Sequence, residues 1–132
     1  MNIILCLDDK NGMLFNRRRQ SRDSALCERV VALSDGSNLW MNEYSSPLFP
    51  NEKAQVDENF LEKAEQGDYC FVENTDITPF LNQIEKIIIY RWNRVYPSDK
   101  RIDEGVLVGR QLVESTDFAG SSHEKITEEI YE

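Results

Sequence analysis

The sequence is poor in metal-ligating and disulfide-forming residues. It contains one histidine, His123, and three widely separated cysteines, Cys6, Cys27 and Cys70. A zinc or dimetal site needs several convergent histidine or cysteine ligands, and a disulfide framework needs paired cysteines. We therefore predict no bound metal and three free structural thiols, which is typical of a protein from the reducing cytoplasm.

Two further features are missing from the chain. There is no charged and then apolar leader, and no apolar run is long enough to span a bilayer, so we expect neither a secretion signal nor a membrane anchor.

The net charge of −9 repels nucleic acid and anionic membranes. The 132 residues match the size of a single domain, and we predict one domain over 1–132.

Strand-like and helix-like segments alternate along most of the chain. Buried strands are predicted at 2–8, 38–42, 69–72 and 86–92, with a possible short strand near Val56 inside a loop over 45–56. Helices are predicted to begin at Asp23, Asp57 and Thr78 and to separate these strands. This alternation indicates a parallel sheet core.

The chain after residue 92 has a different pattern. Residues 106–116 and 125–132 are predicted to be strands, so the sheet should end antiparallel. The segment 125–132 is ambiguous, because Ile126 and Ile130 suit a helix face as well as one face of a strand, and Ser121 to Glu124 could form a capping box. We favour the strand.

Three stretches of the chain carry a resemblance: the first strand with Asp9-Lys10-Asn11-Gly12, then Leu39 to Ser45, then Tyr69 to Asn74 with Ile84 to Trp92. Together they resemble the dihydrofolate reductase family. The first is similar to the family's opening strand and loop, the second to its second strand and cofactor loop, and the third to its strand–turn–helix–strand. The resemblance implies an α/β three-layer sandwich with a parallel core and antiparallel C-terminal strands. Asp23 would match the family's buried catalytic acid, although we favour a role as helix N-cap for it.

The residues of the reductase chemistry are mostly replaced. Glu43 stands where the family has an arginine for the cofactor phosphate, and Glu73-Asn74 stands where it has a Gly-Gly turn. Negative charge and side chains at these points oppose a pyrophosphate. We therefore predict no nicotinamide cofactor, and whether the protein is an enzyme stays open.

A second resemblance concerns Asp8 to Asn16, Gln20 to Asp23 and Ser121 to Thr127. These stretches are similar to short bacterial proteins that sometimes carry the label ribonuclease Z. That enzyme's chemistry needs a His-x-His-x-Asp-His dimetal motif, which a chain with one histidine cannot supply. We reject dizinc nuclease chemistry for this reason.

The densest basic run in this acidic chain predicts an anion site. Four arginines, Arg17, Arg18, Arg19 and Arg22, lie within six positions beside a helix start, and Trp40 or Tyr44 would supply a stacking face for a small anionic or heterocyclic ligand. The alternative is a solvated loop paired with acidic residues. His123 is predicted to be a polar surface residue.

Two other function classes stay open. Tyr90 to Tyr96 interleaves basic and aromatic residues, which would suit weak RNA binding, although the net charge opposes it and strand alternation explains the same pattern. A non-enzymatic scaffold for protein interactions is the other alternative. The sequence leaves the oligomeric state undetermined.

Overall fold

The structure, a computed structural model, describes residues 1–50 and 54–132. Its strands are β1 (Asn2–Leu7), β2 (Gly12–Phe15), β3 (Arg18–Arg19), β4 (Leu39–Met41), β5 (Gln55–Val56), β6 (Tyr69–Phe71), β7 (Lys86–Arg91), β8 (Lys100–Arg101), β9 (Leu112–Phe118) and β10 (Ile126–Tyr131). Its α-helices are α1 (Ser24–Leu33) and α2 (Phe60–Lys63), and 3-10 helices span Ser46–Leu48, Thr78–Gln83 and Glu104–Leu107.

Seven strands form one mixed sheet in the order β5-β4-β6-β1-β7-β10-β9. Strands β5, β4, β6, β1 and β7 are parallel, whereas β10 pairs antiparallel with β7 and β9 antiparallel with β10. The central strand β1 is apolar over nearly all its length because both of its faces are covered. The predicted fold class, a parallel core with antiparallel C-terminal strands, is confirmed.

The sheet is the middle layer of the α/β sandwich. On one face Ile4, Ile88 and Tyr90 pack with Leu26 and Val30 of α1. On the other face, alternate residues of the same strands pack with Phe60 and Leu61 of α2; they include Ile3, Leu5, Ile87 and Ile89. Each fully buried aliphatic side chain contributes about 1.5–3 kcal/mol, so the two cores dominate the stabilisation of the sheet.

The arginine-rich segment lies on a hairpin rather than in the predicted loop over 16–22. Strand β2 pairs with β3 and also with β8, which makes a small second sheet. Asn16 and Arg17 both have positive φ, of 52° and 61°, and form its turn. The hairpin fixes the position of the arginines relative to the main sheet.

Three predicted elements differ from the structure. The helix expected to run from Asp57 to Gly67 is limited to α2, since Ala64 is already extended and Gly67 turns the chain at φ +84°. The helix at Thr78 is a 3-10 helix over Thr78–Gln83 that ends at the extended residue Ile84.

The third difference concerns the predicted strand over 106–116. Its first residues form the 3-10 helix Glu104–Leu107, where Asp103 accepts a hydrogen bond from the Gly105 N–H. A turn at Gly109, with φ +81°, then leads into β9. Of the predicted loop over 45–56, residues 51–53 lie outside the described residues, and the short strand near Val56 is confirmed as β5.

No helix within residues 1–50 and 54–132 is long and apolar enough to cross a bilayer. Over the same residues, no group of three or more histidine, cysteine or acidic side chains is arranged to hold a metal ion.

Candidate functional site

Asp23 is buried at the start of α1 and is saturated with hydrogen bonds. Its Oδ1 accepts from the N–H groups of Ala25, Leu26 and Ser121 at 3.0, 3.2 and 2.9 Å, and its Oδ2 accepts from the Ser122 N–H at 2.8 Å. The predicted N-cap role of Asp23 is confirmed.

These hydrogen bonds set the protonation state of the carboxylate. Burial raises the pKa of Asp23, but the N–H groups of Ser121 and Ser122, together with the His123 ring, outweigh it and hold the pKa well below its ordinary value of 3.8. Asp23 is therefore ionised at neutral pH. An ionised carboxylate has no proton to donate to a ligand, so the structure gives Asp23 an accepting role.

His123 connects Asp23 to two hydroxyl groups. Its Nδ1 lies 3.0 Å from Asp23 Oδ2, and its Nε2 lies 3.1 Å from Ser21 Oγ and 2.9 Å from the Tyr96 hydroxyl. The ring stacks on Trp92 with centroids 4.5 Å apart and planes at 25°. We call Asp23, His123, Ser21 and Tyr96 the Asp–His network.

The prediction that His123 is a surface residue was wrong, because only 8% of it is exposed. It lies 100 positions from Asp23 along the chain, and no local pattern predicts a contact at that separation. The available signal was its position in a turn with two serines, Ser121 and Ser122, whose N–H groups also bind Asp23.

Gly120 allows this turn to approach α1. A Cβ atom added there would lie 2.5 Å from Asp23 Oδ2 and 2.8 Å from the His123 carbonyl oxygen. Real Cβ atoms do not approach other atoms so closely, so only glycine fits without a shift of the surrounding groups.

Arg19 and Tyr44, both predicted ligand contacts, are brought together but are used internally. The Arg19 guanidinium donates to both carboxylate oxygens of Glu73 at 2.9 and 3.0 Å, and it lies 4.5 Å above the Tyr44 ring. The Tyr44 hydroxyl accepts from the Arg19 backbone N–H at 2.7 Å. The hydrogen bonds with Glu73 raise the pKa of Arg19, whose charge is already balanced.

The other predicted ligand residues lie in different places. Arg17, Arg18 and Arg22 are exposed. Trp40 is separate from them, since it packs against the core on the α2 face, and its Nε1 donates to Asp68 Oδ2 at 2.9 Å. Trp40 therefore does not offer its ring to the arginine-rich hairpin.

A large cavity opens beside Arg22. It has a volume of about 610 Å³ and lies between α1 and the segment that follows β4. Its apolar wall consists of Cys27, Val31, Leu48 and Phe49, and its polar residues include Arg22, Asp23, Glu28, Ser121 and Ser122. We call this cavity the α1 groove. Burial raises the pKa of Cys27 to about 11, so its thiol is neutral.

Two other cavities adjoin the hairpin. One, of about 530 Å³, is lined by Phe15, Asn16, Arg18, Arg19, Gln20, Tyr96 and Pro97. The other, of about 10 Å³, is bounded by residues that include Cys6, Arg19, Ser21 and Trp92. Side chains thus nearly fill the space beside the end of β1.

The basic and aromatic residues between Tyr90 and Tyr96 are also engaged within the protein. The Tyr90 hydroxyl donates to Glu128, and Arg91 donates to Glu129 at 2.9 Å. Trp92 lies under His123, and Arg94 lies 5.3 Å above the Tyr96 ring. The strand-packing explanation of this pattern fits these contacts.

Comparison with known proteins supports the fold and leaves the function open. No protein-family model and no curated protein matches this sequence. Among solved structures, the chain is similar to dihydrofolate reductase from Enterococcus faecalis complexed with NADP(H) and RAB-propyl. The TM-score is 0.71 at 10% sequence identity, and the match covers 98% of this chain and 94% of that one. An identity of 10% shows a dihydrofolate reductase-like fold and no more.

Proposed function

We propose that the protein binds a small ligand in the α1 groove, and that this ligand has one anionic group and a flat, apolar or heterocyclic body. The observation that carries the proposal is the combination of an apolar wall and an exposed arginine in one cavity of about 610 Å³. Ligand cavities commonly have volumes of about 300–1,000 Å³ and pair apolar walls with a few polar groups.

Arg22 is the group in the groove that recognises the anion. Its side chain is exposed, and no ion pair to it exists among residues 1–50 and 54–132. The N–H groups that begin α1 cannot take this role, because Asp23 and the Ser121 hydroxyl already accept from those of Ser24, Ala25 and Leu26.

The apolar wall favours an aromatic ring. Leu48 and Phe49 of the segment after β4 line the groove together with Cys27 and Val31 of α1, so two segments supply its apolar lining. Glu28, also on the lining, is an acceptor suited to the N–H groups of a heterocycle. A ring with a carboxylate or phosphate at one end therefore complements the groove better than an inorganic anion does.

The fold neighbour supports ligand binding but not the same cofactor. That dihydrofolate reductase is complexed with NADP(H) and RAB-propyl. In this chain Glu73 is held in place by Arg19 and by the Ser45 hydroxyl, which donates to Glu73 at 2.7 Å. Glu73 is thus held in a neutral ion pair, so the obstacles to a cofactor pyrophosphate are the side chains of Glu73 and Asn74 and the charge of Glu43.

The experiment is isothermal titration with pterin carboxylates, aromatic carboxylates and nucleotides, using variants at the groove. Arg22→Ala should weaken binding of the best ligand about tenfold, which corresponds to about 1.4 kcal/mol for one partly exposed contact. Arg101→Ala, which removes the same charge from β8, is the control and should bind like the wild type. NADPH should give no saturable binding.

Arg18→Ala distinguishes the two large cavities. If this variant loses binding while Arg22→Ala retains it, the ligand occupies the cavity beside Phe15 and Tyr96, and the proposed site is wrong. If anions stabilise all the variants equally, the hairpin is only a solvated surface.

A further inference from the structure

We propose that Ser21, His123 and Asp23 form a triad that transfers a small acyl group from an ester to water. Ser21 is the nucleophile, His123 the general base, and Asp23 positions the imidazole. The distances are those of a hydrogen-bonded triad, 3.1 Å from Ser21 Oγ to His123 Nε2 and 3.0 Å from His123 Nδ1 to Asp23 Oδ2. The proposal goes beyond ligand binding in the α1 groove.

The surroundings fix the imidazole in the orientation that this chemistry needs. An ionised carboxylate only accepts hydrogen bonds, so the proton of a neutral His123 lies on Nδ1, and the Nε2 lone pair faces Ser21. Stacking on Trp92 holds the ring plane, and the N–H groups of Ser121 and Ser122 hold the carboxylate. The base is therefore preorganised without a ligand.

Tyr96 competes with Ser21 for the same nitrogen. Its hydroxyl lies 2.9 Å from His123 Nε2, slightly closer than Ser21 Oγ. Because Nε2 has one lone pair, a hydrogen bond donated by Tyr96 reduces the basicity available to Ser21. We infer that Tyr96 restrains the nucleophile, and that its removal increases the reactivity of Ser21.

The space at Ser21 limits the acyl group. The cavity of about 10 Å³ beside it holds about one water molecule, so even an acetyl group enters only when the neighbouring side chains move, and larger acyl groups are disfavoured. Arg19 lines the same cavity, and its Nη1 donates no hydrogen bond to the described residues. The Nη1 edge of this guanidinium, whose Nε and Nη2 are already paired with Glu73, is the donor in the cavity suited to stabilise a developing oxyanion.

The reaction proceeds in two balanced steps. Ser21 Oγ attacks the carbonyl carbon while its proton passes to His123 Nε2, and the ester C–O bond breaks as the leaving alcohol takes that proton. A water molecule then attacks the acyl-serine, giving its proton to Nε2. The Ser21–acyl bond breaks, Ser21 recovers the proton, and a carboxylic acid leaves without any change in oxidation state.

The test is labelling by a small fluorophosphonate, with the modified residue located by peptide mass spectrometry, together with hydrolysis of p-nitrophenyl acetate. The wild type should be labelled at Ser21, and Ser21→Ala should lose both labelling and at least tenfold of the hydrolysis rate. The control is Ser98→Ala, because the Ser98 hydroxyl donates to backbone carbonyl groups and not to His123.

Two further variants separate catalysis from structure. Tyr96→Phe should be labelled at least threefold faster than the wild type, whereas a purely structural network would give no increase. Asp23→Asn should shift the pH profile of the labelling rate, which lost stability alone would not do. The proposal is overturned if neither the wild type nor folded Tyr96→Phe is labelled at Ser21, or if the label resides on another residue.

Discussion

At the scale of single residues, Asp23 shows how one buried charge can join two segments that lie far apart in the sequence. Asp23 is 3% exposed as a residue, and its carboxylate accepts hydrogen bonds from the first turn of α1 and from the turn before β10, which includes His123. Buried charges are tolerated only when hydrogen bonds replace their hydration. The N-cap could be predicted locally from the sequence, but the contacts across 98–100 positions could not.

Asp23→Asn should lower the free energy of unfolding by about 3–5 kcal/mol, since an amide NH₂ would face N–H donors and leave buried groups unsatisfied. Urea denaturation measures this change. The matched control is Asp35→Asn, an exposed position just after α1, which should change stability by less than about 0.5 kcal/mol. A loss below about 1 kcal/mol for Asp23→Asn would mean that the Asp–His network contributes little to folding.

Arg19 shows the limit of prediction for the candidate site. Its place in a basic run predicts an anion site, yet its anion is Glu73, which lies 54 positions away. Sequence spacing identifies the charge but not its partner. Of the four arginines predicted to meet a ligand, Arg22 has the surroundings that a small ligand would require.

At the scale of elements, the strand β10 was chosen correctly over a helix. The strand places Ile126, Glu128 and Ile130 on one face, where both isoleucines join the α1-side core. Glu128 accepts from Arg29 at 2.8 Å and from the Tyr90 hydroxyl at 2.8 Å. A glutamate on the buried face interrupts the apolar alternation that predicts a strand. Its burial is explained only by its hydrogen-bond partners on α1 and β7.

The turn between β9 and β10 depends on Gly120. Gly120→Ala should lower the free energy of unfolding by about 1–3 kcal/mol, because the new methyl group would overlap Asp23 Oδ2 and the His123 carbonyl oxygen. Thermal unfolding followed by circular dichroism measures the loss. Near-UV circular dichroism should also show that the packing of Trp92 against His123 is disturbed.

Gly105→Ala is the control for this change. Gly105 has no positive φ, and a Cβ atom there would first meet the exposed Asp103 side chain at 3.2 Å, which can move aside. Equal losses at Gly120 and Gly105 would show that general backbone effects, and not contact with the Asp–His network, explain the cost.

At the scale of the whole molecule, the order of elements determined the fold more than any motif did. The alternation of strands and helices up to residue 92 predicts the parallel core, and it corresponds to β4, β6, β1 and β7 of the sheet. The lengths of the helices were predicted less well, since α2 ends at the extended residue Ala64 and the Thr78–Gln83 helix ends at the extended residue Ile84. The single 3-10 turn after residue 103 had no periodic signal to reveal it.

The stability of the molecule should depend on pH through groups whose pKa changes on folding. Burial raises the pKa values of Asp23 and Glu128, but hydrogen bonds outweigh it and hold both values below those of the unfolded chain. Ionised carboxylates of this kind stabilise the fold above their unfolded pKa, and the contribution is lost as pH falls through the folded pKa. Stability should therefore decline below about pH 4, where the unfolded carboxyl groups begin to bind protons.

At alkaline pH, the free energy of unfolding changes with pH in the opposite direction. Burial raises the pKa of Cys70 to about 12 and that of Cys27 to about 11, from an ordinary value of 9.0. The unfolded thiols ionise first, so the stability due to these neutral thiols is complete below their unfolded pKa and is lost as pH rises through the folded values. We expect the free energy of unfolding to fall above about pH 9 and to be nearly constant between the acid decline and this alkaline decline.

Urea denaturation over this pH range, repeated on Asp23→Asn and Cys70→Ala, shows which groups cause the loss of stability in acid and which cause the loss in alkali. Asn cannot titrate, so Asp23→Asn should start from a lower plateau and decline less steeply in acid. Cys70→Ala should lose part of the alkaline decline and keep the acid one, because its side chain lies in the apolar core rather than in the Asp–His network. If Asp23→Asn keeps the full acid slope, other carboxylates must supply the acid dependence, and Asp23 cannot be the charge that links α1 to the turn before β10.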